Sequence, residues 1–255
     1  MKDSTLTALL RKDAREQLKT YRLWVALAVF LIFGITAPLI TKNLPKLIPQ
    51  TEQFTVIMQD PTILDAASQY FNYLIQMGLL LVILLGMGCV ATERSQGLLA
   101  IVLAKPVRRR DFLVSKVAVN GGMLAGVLVV GTAVFYGYTV LLFAYFPVGD
   151  ALLSVVPAAF FLWFILALTV FWSVLAPSSI AAGGLSFLSA VILLVVPGLF
   201  SASKRFGPSY LMEAGKSIAV GRTGFGEVLP SLLVTTGLIA LCLWAALFLF
   251  ERRDV

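Results

Sequence analysis

Residues 152–176 read LLSVVPAAFFLWFILALTVFWSVLA, twenty-five positions without Asp, Glu, Lys or Arg. The hydrocarbon core of a bilayer is about 30 Å thick, and a helix crosses it in about 20 apolar residues while satisfying all of its own backbone polar groups. This stretch meets that requirement. Outward from it, five more do: Leu23–Thr41, Phe71–Ala91, Val117–Phe146, Ile180–Phe200 and Leu229–Phe250. The run from Val117 exceeds one crossing, so that helix is expected to tilt or project. The pattern predicts an all-α, polytopic membrane protein with six transmembrane helices.

Composition agrees. Of 255 residues 59% are apolar and 13% charged, against about 25% charged in soluble domains, so no water-facing surface can be built. No histidine is present, which removes His-based zinc sites, Ser/His and Cys/His pairs and histidine proton relays. Cys89 and Cys242 lie inside apolar runs and read as packing residues. Twenty basic residues face 13 acidic ones, a net charge of +7, and their placement is lopsided. Fourteen fall in 1–22, in 92–116 and after Phe250, and six fall in the other connections. Positive charge marks the cytoplasmic side, so both termini are expected there and no nucleic-acid partner is called for. No cleavable leader is recognised before the first apolar run. One domain is expected over 1–255: an interface helix at 1–22, a membrane bundle at 23–250 and a tail at 251–255.

Within residues 4–22, Leu6, Leu9, Leu10, Ala14, Leu18 and Tyr21 recur at helical spacing, while Arg11, Lys12, Arg15, Glu16, Lys19 and Arg22 occupy the other face. Such a helix lies in the membrane interface with its basic groups toward lipid headgroups, turning into the bilayer at Trp24.

The connection after the second apolar run reads Glu93-Arg-Ser-Gln-Gly97-Leu-Leu-Ala-Ile-Val-Leu103-Ala-Lys-Pro106-Val-Arg108-Arg109-Arg110-Asp111. Gly97 to Ala104 is apolar but too short to span, so a short docked helix is expected. Pro106 ends it, because proline cannot continue a helix and pushes the preceding residue toward extended geometry. Three arginines follow, and Lys116 marks the start of the next run.

The order Glu93, Gly97, Leu103, Pro106, Arg109, Lys116 resembles ABC-2 type transporter permeases, as do the amphipathic start, the six-run layout and the ending Phe250-Glu-Arg252-Arg253-Asp254-Val255. Leu98 and Ala100 depart from that pattern, where Thr and Glu are frequent. The resemblance implies that Glu93, Gly97, Leu103, Pro106, Arg108, Arg109, Arg110 and Lys116 belong to a coupling segment seated on a separate cytosolic ABC ATPase subunit. It further implies a permease subunit, itself no enzyme, that exports substrate across the plasma (inner) membrane and pairs with a second permease subunit as a homo- or heterodimer. ATP and Mg would be held by the ATPase, with no cofactor on this chain.

Other readings stay open. Gly215-Lys216-Ser217 is a fragment of a phosphate loop, but Tyr210 stands where its first glycine belongs. The middles of the spans carry no ionisable residue, which speaks against a proton or ion relay. Gly122 and Gly126, and Gly183 with Ser186 and Ser189, are small residues suited to close helix packing. A short helix is also expected near Tyr210–Ile218. An enzyme acting on a lipid-soluble substrate, or a non-transporting membrane scaffold, would fit the same composition.

Overall fold

A computed structural model describes residues 5–47, 60–97, 108–143, 145–199, 207–219, 221–222 and 224–252. Among them every regular element is helical: α1 (Thr5–Lys19), α2 (Tyr21–Leu47), α3 (Ile63–Tyr73), a π-helical turn (Leu74–Gly78), α4 (Leu79–Gly86), α5 (Ala91–Ser95), α6 (Arg109–Leu142), α7 (Val148–Leu175), α8 (Ser179–Leu199), α9 (Pro208–Ala219) and α10 (Phe225–Arg252). Five segments are long and apolar enough to cross a membrane: Tyr21–Pro45, Ile63–Ser95, Arg109–Leu142, Val148–Leu175 and Phe225–Arg252. The remaining expected crossing falls on α8, whose apolar part, Ser179–Val195, is shorter.

α7, the helix that carries the quoted stretch, sits at the centre and touches α4, α6, α8, α9 and α10. Its Phe161, Leu162, Phe164, Ile165 and Val170 are all buried. α2 packs chiefly along α6 and also against α3. In a bilayer, apolar surface alone does not drive helices together, so small residues and interhelical hydrogen bonds set the contacts. At the α2–α6 crossing a Cβ on Gly34 would stand 2.6 Å from the Gly131 carbonyl oxygen, so the two backbones meet only because both positions are glycine. Nearby, Tyr70 stacks on Phe135 at 4.5 Å, and its hydroxyl is 3.0 Å from that of Thr132.

Boundaries shift from expectation in two places. α6 starts at Arg109, two turns before the apolar run, and ends at Leu142, so its charged first turns project beyond the apolar part. The second run breaks into α3, the π turn and α4, with α3 opening on a capping box between Thr62 and Asp65. Both ends of the described chain lie at one end of the bundle, where α1 packs on the base of α6 and Arg109 donates to the Phe250 and Glu251 carbonyls. At the opposite end Lys42 donates to the Leu142 carbonyl, capping α6. α9 also belongs there, buried between α3 and α7.

Candidate functional site

The densest polar construction surrounds the two flanks of residues 98–107. On the first flank α5 is a single turn, too short to be stable alone, and α7 holds it at both ends. Ser173 Oγ accepts from the Val90 and Ala91 backbone N–H groups, each at 3.1 Å, and donates to the Met87 carbonyl at 2.9 Å. The orphan donors of a helix start are thus satisfied by a neighbouring helix. Arg94 returns the contact by donating to the Val174 carbonyl at 3.0 Å and to the Ala176 carbonyl, covering the open C-terminal end of α7. Gly97 then adopts φ +68°, a conformation that favours glycine, and its N–H closes on the Arg94 carbonyl at 3.0 Å. Gly97 thus ends the α5 turn. Leu103, Pro106 and the rest of the expected short helix lie outside the described residues.

On the second flank Arg108 is the extended residue before α6, at φ −71° and ψ 133°. Arg109 bridges to the C-terminal carbonyls of α10 at 3.2 and 3.3 Å, and Phe112 stacks on Phe250 at 6.0 Å. Arg110 is exposed.

The flanks meet at Lys116, which is 8% exposed. Its Nζ lies 2.7 Å from Glu93 Oε1, 3.4 Å from Asp13 Oδ1 and 4.0 Å from Glu16 Oε2. Asp13 is 4% exposed, and its Oδ2 accepts from Ser115 Oγ at 2.6 Å. One turn further along each helix, Gln17 donates to Asn120 Oδ1 at 3.0 Å, while Asn120 donates to the Lys116 carbonyl at 2.8 Å. A cavity of about 420 Å³ opens beside the cluster, with Lys12, Arg22, Thr92 and Gln96 among its walls.

One ammonium therefore serves two largely buried carboxylates and part of a third. Asp13 Oδ1 and Glu93 Oε2 are buried without a hydrogen bond. Burying charge is tolerated only with close opposite charge, and removing one partner costs about 3–5 kcal/mol because the other is stranded. Lys116 is the cation that all three acids share: Lys12 reaches only Asp13, at 3.8 Å and from an exposed position, so without Lys116 the acids of α1 and α5 would face one another.

Asp13, Gln17, Ser115, Asn120, Arg94 and Ser173 are the residues that sequence reasoning missed. A signal existed on α1: Leu9, Asp13 and Gln17 are spaced by four, on one helical face. Leu9 and Asp13 turn inward, Leu6, Leu10 and Ala14 are half-buried, and Leu18, with Tyr21 and Trp24 of α2, is exposed. Arg11, Lys12, Arg15, Lys19 and Arg22 are exposed as well.

Of the small residues, Gly183 faces Met87, where a Cβ would meet Sδ at 2.9 Å. Gly122 and Gly126 have nothing within 4 Å among the described residues, so neither makes a close helix contact there, and the tight approach on α6 falls instead at Gly131. The Gly215-Lys216-Ser217 fragment has a packing role in α9: a Cβ on Gly215 would come within 2.4 Å of the Phe71 ring, and Lys216 pairs with Glu213 at 3.2 Å. No group of three or more metal-ligating side chains occurs among the described residues.

Comparison with known proteins adds two findings. A family model described as ABC-2 family transporter protein matches residues 7–255. An uncharacterized transmembrane protein of Bacillus subtilis (strain 168), YxlG, is 31% identical over 147 residues, covering 54% of this chain and 55% of the relative. The match thus spans about half the length of that curated relative.

Proposed function

The chain belongs to the ABC-2 family of transporter proteins, and on that premise we propose that it is the membrane-spanning permease subunit of an ATP-driven exporter whose hydrolysis is carried out by a separate cytosolic ATPase. The observation that carries this reading is the anchoring of the two flanks of residues 98–107. Ser173 and Arg94 tie the first flank to α7, Arg109 ties the second to α10, and Lys116 ties both to α1. A push on this segment reaches three parts of the bundle at once.

In this reading α8 completes six crossings, both termini face the cytoplasm and the protein resides in the plasma membrane. Fourteen of 20 basic residues at one end support that orientation. Two permease subunits meet along the substrate path, each above one ATPase that holds ATP and Mg. Closure of the ATPase pair shifts the segment, and the anchors convert the shift into movement of α6 and α7. The free energy comes from contacts that differ between the two states. The carboxylate surplus around Lys116 keeps α1 and α5 moving with α6.

The test is purification of the full chain from its native membrane, identification of any stoichiometric ATPase that accompanies it, and assay of substrate-stimulated ATP hydrolysis. A stoichiometric ATPase is expected, with no hydrolysis by the permease alone. Lys116→Met, Gly97→Leu and Pro106→Ala should each reduce stimulation about tenfold while the complex still forms, within the usual range of coupling free energies. Absence of any bound ATPase, or full stimulation in all three variants, would refute the proposal.

A further inference from the structure

On the flank where α6, α7 and α10 meet, an apolar groove runs along the bundle. Its inner part, about 400 Å³, is lined by Gly121 and Gly122 of α6, Trp163 and Leu166 of α7, and Ile239 and Leu243 of α10. Its outer part, about 180 Å³, is lined by Leu113, Val114 and Leu247, and the two share Val117, Ala118 and Leu243. The single side-chain polar group in the lining, the Trp163 indole N–H, already donates to the Gly121 carbonyl at 3.0 Å. A polar ligand finds nothing to bond.

About one turn before Leu113 and one turn after Leu247, α6 and α10 are tied by the Arg109 contact and the Phe112–Phe250 stack. Toward the side it is open: Val114 is 37% exposed, and a Cβ on Gly122 would meet no atom within 4 Å. From Leu113 to Gly122 it extends about 14 Å along α6. The space suits a narrow flexible chain.

Charge supplies the second half of the argument. Arg110 precedes Leu113 and Val114 by three and four residues, the spacing that stacks side chains on one helical face. Arg110 is exposed and has no ion pair among the described residues. A guanidinium with no ion pair among the described residues thus lies one turn before the first groove residues of α6. We propose that the groove holds one acyl chain of an anionic phospholipid, with the phosphate against Arg110. Arg110 then binds a lipid in place of the coupling role that the family resemblance implies for it, and the groove itself takes no part in the ATPase contact, so failure of the lipid site would leave the permease reading standing.

The test uses the purified full chain in vesicles containing phosphatidylglycerol that carries a photoreactive diazirine in the middle of one acyl chain, with labelled phosphatidylcholine as the control. Adducts mapped by mass spectrometry should concentrate on Val117, Ala118 and Leu243, and unlabelled phosphatidylglycerol should displace them where phosphatidylcholine does not. Arg110→Gln should reduce them about fivefold, the share of one cation at a lipid surface. Gly122→Leu, a side chain placed in open space, should abolish the inner adducts. An even spread over other exposed positions such as Ile180 and Leu233, equal labelling by both lipids, or labelling of those exposed positions with none at Val117, Ala118 and Leu243 would overturn the proposal in favour of bulk lipid, an unselective pocket or a groove covered by a second copy. Should Gly122→Leu fail to fold, the wild-type map and the competition still decide.

Discussion

α7 and α10 are both 28 residues long and almost equally apolar, with mean hydropathy 2.5 and 2.4 in their strongest windows, yet 72% of that window is buried in α7 and 17% in α10. Hydropathy reports affinity for hydrocarbon, and lipid satisfies it as well as protein does. What separates the two helices is what stands opposite them. α7 meets Gly86 of α4, carries Thr169 and Ser173 fully buried, and takes backbone hydrogen bonds from α5. The exposed side of α10 carries Leu229, Leu233, Val234, Leu241 and Trp244. Close glycine approaches and interhelical hydrogen bonds therefore fix α7 in the interior of this bundle, and the exposed side of α10 has neither among the described residues.

One substitution made on each side tests that rule at its strongest. A Cβ on Gly86 would already lie 3.0 Å from Thr169 Cγ2 and 3.2 Å from Leu166 Cδ1, while one on Gly237 of α10 would meet nothing within 4 Å. Gly86→Leu should destabilise the purified protein by about 3 kcal/mol, the upper range for overpacking a filled site. Gly237→Leu should be neutral or slightly stabilising, since leucine is the better helix former. Thermal unfolding in detergent measures both. Equal losses would show that α10 is packed as closely as α7.

The two helices also hold the segment 98–107 with different grips, and this gives a smaller contrast. Ser173→Ala removes the acceptor for two backbone donors and leaves them buried, a loss of about 1–3 kcal/mol. Arg109→Gln loosens a partly exposed arginine from two carbonyls at 3.2 and 3.3 Å, and about 0.5–1 kcal/mol is expected. Hydrogen exchange should localise the effects, with faster exchange at 90–95 in the first variant and at 109–113 in the second. Similar protection in both variants would mean that the grips are equivalent.

The contrast also explains what could be read in advance. The apolar runs were legible because a bilayer sets a length and forbids unsatisfied backbone, so five crossing segments and the position of α8 follow from counting. Gly97 was legible because a positive φ selects glycine. The partners of Lys116 were not, because Asp13 lies 103 positions away in sequence, and α1 turns this acid inward beside Leu9. That choice is made by a cation on another helix. Ser173 was hidden for the same reason: inside an apolar run a serine looks idle until the neighbouring helix start it caps is known.

The smallest expected effect lies on the rim. Leu233 is 66% exposed on α10, and Leu162, on α7, is fully buried. In water both leucines would contribute by leaving solvent, but here the solvent for Leu233 is hydrocarbon. Leu162→Ala deletes packing that nothing replaces and should cost about 2–4 kcal/mol. Leu233→Ala lets a lipid chain take the vacated volume and should stay within about 0.5 kcal/mol of the parent, measured by the same unfolding assay. A loss at Leu233 comparable to that at Leu162 would mean that this face of α10 is covered by protein in the membrane, and it would move α10 from the rim to an interface between subunits.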